Sequence, residues 1–518
     1  MSNFLDDNLN QSVFFDINYL EVLGNNTFEY CLYHLLENDE ILSDFHTRYK
    51  NKSVGRKAYP PALLLRVIFY AYYRGHTSSR VIERLCKTDL KFIALAAGRQ
   101  PHFTTIANFV SSNCEAMGKL FHKVLLICDQ SGLIGKEHFA IDGCKLPTNA
   151  SKQWSGTHKE LRKKSDKLKE AAKKIIDKHL SSDSDKDSAG NIPDNHQQTI
   201  DTLMKNASKI DDFLSTNEPR MGQGRRKQEV QSNITDNQSA KMTTSKGTIQ
   251  GMACVTAADE KHQVIVHAQA FGMRQEQAAL KPMVEGIKKN FGDNIFKPSL
   301  VLTADTGFSS EATMQYFFDE KINAVVPDNQ FRKRNPVFSD SDFYKKHKAL
   351  RKKTRKDQSG RDEVFHSSIF TVNLDNNSCI CPAGKEMLFQ GDHFEGARGI
   401  YSRFRGKLRD CRDCDLQTQC MKKPVKDQGR QVSFLNEEQE KVTCLDLMKQ
   451  KIDSPEGRRM YSRRMWTIEP VFGNITSNKG LSRISVRGEA KATAQWLMYC
   501  MVHNIEKLWK NSEVESWA

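Results

Sequence analysis

Three acidic residues in this chain have the type and the setting that metal-dependent phosphoryl transfer requires. They are Asp142 in HFAIDGCKL, Asp305 in LVLTADTGF and Glu469 in MWTIEPVFGNI. Cutting or joining a phosphodiester requires both the attacking and the leaving oxygen to be stabilised, and two divalent ions about 4 Å apart can do this. Because Mg²⁺ prefers oxygen ligands, the three carboxylates predict a site for two Mg²⁺ (or Mn²⁺) ions.

The local context singles out these acids among 63 Asp and Glu, most of which must be solvated surface charges. Residues 139–141 and 300–302 are short apolar runs without helical periodicity, which predicts buried strands, and an acid follows each run. Open α/β sheets bind ligands at the carboxyl ends of their strands. Glu469 lies among apolar residues that form one helix face, and Pro470 is tolerated if that helix begins nearby.

The segments between the acids predict a mixed α/β order, three strands, a helix, a strand, a helix and a strand, followed by the helix with Glu469. After the first strand, GTIQGMACVTAAD and HQVIVHAQAFG predict an antiparallel pair. A helix over about 275–289 precedes the strand in LVLTAD, and INAVVPD predicts the last strand. Ser309 and Ser310 are candidate caps for a helix that begins near Glu311.

In this order the chain resembles the RNase H-like catalytic core of DDE transposases from bacterial insertion sequences. The resemblance covers about residues 45–510, and its most specific pieces are FAIDGCKLPTNAS, NITDNQSAKM with the following hairpin, LTADTGFSS, YSRRMWTIEPVFGNI and RGEAKATAQWLMYCMVHNIEKL. It implies an RNase H-like mixed sheet flanked by helices, with an N-terminal helical domain and two insertions.

The resemblance also implies a mechanism. Asp142 would bridge two Mg²⁺ ions, and Asp305 and Glu469 would each complete one coordination sphere. Water would free a 3′-hydroxyl at the element end, and this hydroxyl would later attack target DNA. A homodimer is expected, because two DNA ends must be paired.

This interpretation divides the chain into four regions. Residues 1–130 form a helical domain that binds the DNA ends, and residues 131–327 with 456–510 form the catalytic core. A basic insertion, residues 150–245, contains a charged helix whose apolar seam repeats every seven residues, and a loop. A second basic insertion, residues 328–455, contains cysteines.

Related enzymes often surround the Glu with a Tyr, an Arg and a downstream Lys. Tyr461 and Arg464 match two of these, whereas Thr476 stands where the Lys is expected and Lys479 follows three residues later. Arg464 can hold a phosphate bidentately, and Lys479 is a candidate for a backbone or phosphate contact. A salt-bridged helix face explains Tyr461 and Arg464 equally well.

The net charge of +15 and the pI of about 9.1 favour a polyanionic partner, for which double-stranded DNA is the natural candidate. A long apolar run, a signal peptide and a basic membrane anchor are not apparent in the sequence. We therefore expect a cytoplasmic, nucleoid-associated protein without a membrane segment.

Basic side chains in three regions are candidates for DNA contacts. The second insertion begins with a charge run that includes Lys352, Lys353 and Arg355, and the first insertion ends with Arg220, Arg225, Arg226 and Lys227. In the N-terminal region, short helical patterns are compatible with a helix-turn-helix or with any other helical bundle. Its candidate DNA-contacting side chains are Arg80, Arg84, Lys87, Arg99 and His102. For each set the alternative is an ordinary solvated surface.

Thirteen cysteines, an odd number, are scattered through the chain, which argues against a disulfide framework. Five of them lie within residues 379–420, including a CxxC unit at Cys411 and Cys414. Thiolates of Cys381, Cys411, Cys414 and Cys420 would close a tetrahedral structural Zn²⁺ site. Reduced thiols packed in a small insertion explain the cluster equally well, and an iron–sulfur cluster is less favoured.

Two other functions remain open at this point. One is a DNA-binding regulator that is derived from a transposase and lacks catalytic activity, although the intact acidic triad argues against it. The other is a metal-dependent nuclease that cuts DNA without strand transfer.

Overall fold

The computed structural model describes residues 17–46, 57–182, 194–222, 228–245, 247–273, 275–334, 364–396, 399–421, 425, 427–440 and 442–511. The chain forms two compact units. The first contains residues up to 308, residues 322–324 and the chain from 462 onward, and the second contains residues 309–321 and 325–461. The described helices of the predicted N-terminal domain therefore belong to the same unit as the core.

The strands are β1 (His138–Pro147), β2 (Ser155–Gly156), β3 (Ser232–Asn233), β4 (Ala240–Thr244), β5 (Gly247–Asp259), β6 (Ile265–Phe271), β7 (Val301–Ala304), β8 (Ala324–Val325), β9 (Thr371–Asn373), β10 (Ser378–Ile380), β11 (Met387–Gly396), β12 (Gly399–Gly406) and β13 (Gln431–Glu440). The helices are α1 (Tyr19–Leu23), α2 (Phe28–Glu37), α3 (Asp39–His46), α4 (Pro61–Tyr73), α5 (Ser79–Thr88), α6 (Leu90–Leu95), α7 (Phe103–Ser112), α8 (Cys114–Gln130), α9 (His158–Ser182), α10 (Asp194–Thr216), α11 (Leu280–Phe291), α12 (Glu311–Asp319), α13 (Phe331–Arg334), α14 (Leu408–Arg412), α15 (Gln417–Cys420), α16 (Cys444–Asp453), α17 (Pro455–Gly473) and α18 (Glu489–Asn511).

A mixed sheet with the order β6-β5-β1-β7-β8 forms the centre of the fold, and β4 pairs with the first half of β5. The predicted hairpin is confirmed, because β5 is antiparallel to both β1 and β6. Strand β7 is parallel to β1, and the last residue pair in their register is Ile141 with Ala304. Asp142 directly follows Ile141, and Asp305 directly follows Ala304. This mixed sheet flanked by helices confirms the predicted α/β class and is consistent with an RNase H-like core.

Helix α18 is the apolar centre of the first unit. Almost every residue from Ala492 to Leu508 is buried, as expected for a helix whose apolar residues cover its whole circumference. It packs against α2, α4, α7 and α8 and against β5 and β6. Pro61 opens α4 as predicted, since the first turn of a helix needs no N–H from that residue.

The first insertion contains a helical hairpin, and its second helix was not predicted. The apolar seam of α9 packs against α10, so a second segment of the same chain covers it. The Ser165 hydroxyl donates to Asp211 over 2.7 Å, and Lys169 pairs with the same carboxylate over 2.7 Å. Most residues of α10 are polar or acidic. Its narrow buried face, formed by Ile200, Ala207 and Ile210, was therefore not recognised in the sequence.

The expected position of the Glu469 helix was wrong, because α17 begins at Pro455 and contains Pro470 near its end. A proline has no N–H for the carbonyl four residues earlier, here that of Trp466. The Gln263 side chain donates to this carbonyl over 2.9 Å instead. The helix therefore passes Pro470 without an unpaired carbonyl at Trp466, and one π-helical turn, Asn474–Asn478, follows it.

The second unit contains a small antiparallel sheet, β11-β12-β13, and the hairpin β9-β10. Around these strands the buried apolar cluster consists of Phe370, Cys379, Met387, Phe404 and Val432. Elsewhere the unit also buries Met314, Phe317, Phe331, Met448 and Ile452. All thirteen cysteines of the chain are free thiols in the structure. Within the ranges given above, no helix is long and apolar enough to cross a membrane.

Candidate active site

Asp142 and Asp305 share the guanidinium of Arg464 at the point where the pairing of β1 with β7 ends. Strand β1 itself was expected to end at Asp142 but continues to Pro147, paired with β5. The Nη1 of Arg464 donates to Oδ2 of Asp142 over 2.6 Å, and its Nη2 lies 3.7 Å from Oδ1 of Asp305. The Gly143 N–H donates to the other oxygen of Asp142 over 2.8 Å. The parallel register of β1 and β7 thus places two carboxylates where one cation can contact both.

The environment of Asp142 makes its ionised form less stable than that of an exposed aspartate. Burial, and to a smaller extent the charge of Asp305, raises the pKa of Asp142, although Arg464 and the Gly143 N–H act in the opposite direction. The side chain of Arg464 is 10% exposed, and that of Asp142 is 23% exposed. The pair therefore lies in a partly dry setting, where a missing countercharge would be costly.

Glu469 lies on α17, five residues after Arg464, and its side chain is exposed. It does not complete a ligand cluster with the two aspartates. Among the residues that the structure describes, no three His, Cys, Asp or Glu side chains are arranged so that they can hold a metal ion. The structure thus brings together two of the three predicted carboxylates, with Arg464 between them.

A second set of contacts fixes the helix that carries Arg464 and Glu469. Glu260, in the turn after β5, accepts hydrogen bonds from Nε of Arg463 over 2.8 Å and from Nε1 of Trp466 over 3.2 Å. Burial raises the pKa of Glu260, but these two donors outweigh it and the net shift is downward. His138 faces the same carboxylate at 3.8 Å, and burial lowers its pKa to about 4, so it is neutral near pH 7.

Sequence reasoning missed this anchor, because Glu260 and Arg463 are separated by 203 residues and neither belongs to a recognisable pattern. The only local signal was the polar turn between β5 and β6. Taken alone, its polar residues indicate no more than an exposed surface turn. In the folded chain this turn also contacts α18, since the Gln263 carbonyl lies 2.8 Å from Nε2 of His503.

Two family models match the chain. One, described as transposase DDE domain, matches residues 380–509, and the other, described as transposase domain (DUF772), matches residues 18–112. The two matches indicate a DDE transposase of the insertion-sequence type. The first match includes Glu469 and Arg464, and Asp142 and Asp305 lie between the two matches. No curated protein matches the chain.

The matched domains support a transposase function, and this kind of protein implies DNA as a partner. DDE transposase domains generally use divalent metal ions.

Lys479 of the transposase does not face solvent, which contradicts its assignment as a phosphate contact. Its side chain is 2% exposed and forms an ion pair with Glu506, on α18. It also donates to Oδ1 of Asn474 over 3.0 Å, and its ammonium lies 5.4 Å from the ring centre of Tyr73. Lys479 is therefore a buried structural residue that links the π-helical turn to α18.

The remaining candidates for DNA contacts occupy varied settings. The ring of Tyr461 packs edge-on against Phe331, with 5.5 Å between centroids. Arg220 is half-buried and donates to the carbonyls of Ser239 and Gly272, which is a structural role. The other basic candidates of the two insertions lie outside the described residues: Arg225, Arg226, Lys227, Lys352, Lys353 and Arg355.

The N-terminal candidates lie on or beside three successive helices, α5, α6 and α7, and all of their side chains are exposed: Arg80, Arg84, Lys87, Arg99 and His102. The guanidinium of Arg80 lies 4.9 Å from the ring centre of Phe103, and Lys87 pairs with Glu83 over 3.0 Å. Helix α5 packs against both α6 and α7, so these side chains lie on the surface of a compact group of three helices.

The four predicted zinc ligands of the transposase lie around one cavity in the second unit. Cys381 follows β10, Cys411 lies on α14, Cys414 lies in the turn after α14, and Cys420 ends α15. Burial raises the pKa of the Cys420 thiol, and the other three thiols add to this effect, whereas Arg430 opposes it. The fold therefore collects these side chains from two separate stretches of the sequence.

Proposed function

We propose that this transposase cleaves DNA at the ends of an insertion sequence and transfers the freed strand into target DNA. In the first step, a water oxygen attacks the scissile phosphorus, the bond to the 3′ oxygen breaks, and that oxygen takes up a proton. In the second step, the 3′-hydroxyl attacks a target phosphodiester, and a target 3′ oxygen leaves.

The observation that carries this proposal is the pair of carboxylates that follows the register of β1 and β7. Asp142 and Asp305 directly follow the last paired residues of adjacent parallel strands. They already hold one cationic group between them, the guanidinium of Arg464. Carboxylate oxygens are hard donors, and two carboxylates that converge on one positive charge are suited to bind Mg²⁺ or Mn²⁺.

The residues present fit a divalent metal in their donor chemistry. Asp142 and Asp305 would each supply oxygen ligands, and Glu469 is the third candidate because it is exposed on the helix that also carries Arg464. When bound, two divalent ions stabilise the attacking and leaving oxygens and make the attacking water more acidic. The contacts of Glu260 with Arg463 and Trp466 hold this helix against the sheet, so we assign them a positioning role.

Arg464 has two tasks in this proposal. Without a divalent ion it neutralises the aspartate pair, which would otherwise place two negative charges close together in a partly buried site. With metal on the carboxylates, the guanidinium would be available to hold a DNA phosphate bidentately. The partner is double-stranded DNA, both the terminal repeats and the target, and we propose that a homodimer pairs the two ends.

The first test is cleavage of a labelled duplex that contains the DNA flanking this gene, with Mg²⁺ present and absent. Asp142→Asn keeps the side-chain size but removes the charge, and we expect loss of cleavage with DNA binding retained. Asp293→Asn, a substitution of an exposed aspartate away from the strand ends, serves as the matched control and should cleave like the unmodified chain.

The outcomes separate the competing functions. Discrete Mg²⁺-dependent cuts at an element boundary, followed by joining to a second duplex, support the transposase proposal. Cuts without joining favour a nuclease, and binding without cutting by the unmodified chain favours a DNA-binding regulator. Cleavage that persists in Asp142→Asn would overturn the assignment of the site.

A further inference from the structure

The second unit contains a set of nucleophilic side chains that the proposed DNA chemistry does not use. Cys381, Cys411, Cys414 and Cys420 all line one cavity. The chemistry available at the cavity wall is that of four thiols, which suits a single soft or borderline metal ion.

The backbone around these thiols is held by hydrogen bonds. The N–H of Gly384 donates to the Cys381 carbonyl over 2.8 Å, and the Cys381 N–H donates to Lys385 over 2.9 Å. The Gln417 N–H donates to the Cys414 carbonyl, and its side chain donates to the Cys411 carbonyl, both over 2.9 Å. Each of these turns therefore presents its thiol from a fixed backbone, as metal sites require of their supporting shell.

Two glycines allow the chain to approach the Cys411 sulfur closely. A Cβ atom at Gly406 would lie 2.6 Å from this sulfur, and one at Gly429 would lie 2.9 Å from it. Both distances are shorter than a side chain tolerates, so residues other than glycine would displace Cys411. Gly406 ends β12 and its N–H donates to the Arg430 carbonyl over 2.8 Å, which places the thiol against the edge of the small sheet.

The structure separates the fifth cysteine of the cluster from the other four. Cys379 is fully buried in the apolar cluster of the unit, and its sulfur lies 3.8 Å from that of Met387. It does not line the cavity. Cys379 and Cys381 are thus two residues apart on β10 and the turn that follows it, and they have different surroundings.

The cavity also contains positive charge. Lys385, Lys407 and Arg430 line it together with the four thiols. A divalent ion with four thiolates carries a net charge of about −2, and nearby ammonium and guanidinium groups reduce the cost of this charge. Asp410 and Glu386 also line the cavity, and they offset part of this effect.

The unit has a physical need for such a cross-link. Among the described residues 364–440, which include all four cysteines, the apolar cluster contains five buried residues. Small cores of this kind are commonly stabilised by a metal ion when disulfides are absent. A bound Zn²⁺ would join the turn after β10 to α14 and α15.

We propose that Cys381, Cys411, Cys414 and Cys420 bind one structural Zn²⁺ ion that stabilises the second unit. Four S–H bonds lose their protons to solvent and four S–Zn bonds form, without any change of oxidation state. The four thiols are not in ligating positions as they stand, so ligation requires the cysteine side chains to adopt new χ1 rotamers. This site is separate from the carboxylate site.

The test uses the full chain purified without added metal, and it measures bound metal by mass spectrometry. We expect about one zinc per chain, and exchange with Co²⁺ should produce the visible absorption of tetrahedral cobalt with thiolate ligands. Cys381→Ala should lose the metal, whereas its near neighbour Cys379→Ala should retain it even if the loss of core packing lowers stability.

Several results would overturn the proposal. These are an unmodified chain without zinc that also fails to bind Co²⁺, a chain that contains iron and sulfide, and equal metal loss in the Cys379→Ala and Cys381→Ala variants. If Cys381→Ala is insoluble, the unmodified chain still decides the question. Removal of zinc by a chelator should then lower the melting temperature and expose four thiols to a thiol reagent, and chelation without either change would refute a structural role.

Discussion

Replacement of Arg464 by glutamine should increase the affinity of the transposase for divalent metal ions. In the proposed mechanism the guanidinium of Arg464 occupies the aspartate pair until a metal ion displaces it. Glutamine keeps part of the side-chain volume but carries no charge, so the metal no longer competes with a bound cation. The same substitution should lower DNA cleavage, because it removes the proposed phosphate contact.

The size of the effect follows from the contacts of Arg464. Its 2.6 Å bond to Asp142 is a charge-assisted hydrogen bond, a type that contributes about 1.5–3 kcal/mol. The approach to Asp305, at 3.7 Å, is too long for a second hydrogen bond and adds only Coulomb attraction. Taking about 2 kcal/mol for the interaction that must be broken, the dissociation constant for the metal should fall roughly 30-fold.

The assay is a Mn²⁺ titration without DNA, followed by electron paramagnetic resonance of the free ion. Arg483→Gln is the control, since this exposed arginine lies beyond the end of α17 and has no part in the proposed site. Its metal affinity should equal that of the unmodified chain. An Arg464→Gln variant with unchanged or weaker Mn²⁺ affinity would show that Arg464 does not compete with the metal, and the reasoning would fail.

Three further predictions concern other parts of the first unit. Lys479→Met should lower the free energy of unfolding by about 3 kcal/mol, because it leaves a buried carboxylate without its main partner, and adding Glu506→Gln should recover most of this loss in urea titrations. If the double variant is no more stable than the single one, the two side chains are not coupled. Hydrogen bonds from Asn474, Lys479 and Lys510 outweigh burial and lower the pKa of Glu506 to about 2, so its stabilising contribution should be complete above pH 4.5 and lost between pH 4.5 and about 2. Unfolding of Glu506→Gln should depend less on pH in this window, and an unchanged slope would contradict the assignment. Arg84→Ala should weaken binding of element ends and reduce the slope of log K against log salt by about one, whereas Lys136→Ala, whose ammonium pairs with Asp129, should leave the slope unchanged.

Local patterns predicted much of the fold. The apolar runs before Asp142 and Asp305 are strands, Ser310 caps the helix that begins at Glu311, and Pro61 opens α4. Such features are encoded within a few residues, because side-chain periodicity, caps and the fixed φ of proline act over one or two turns. The helix after Ser310 was therefore predictable to within a residue.

Patterns with competing local interpretations were less informative. Pro470 suggested a nearby helix start, yet α17 continues through it because Gln263, more than 200 residues earlier, satisfies the Trp466 carbonyl. Helix α10 was missed because only a narrow face of it is buried, against α9. In both cases a tertiary contact outweighed the local preference.

By itself, the sequence determined the identities of the acidic residues, the apolar strand segments that precede two of them, the cysteine spacing and the basic charge of the chain. Only the tertiary structure decided which cations these acids meet. Arg464 bridges Asp142 and Asp305, whereas Lys479, which was assigned to DNA, is buried against Glu506. The physical reason is that an ion pair depends on distance and burial in space, and Asp142 and Arg464 are 322 residues apart in the chain.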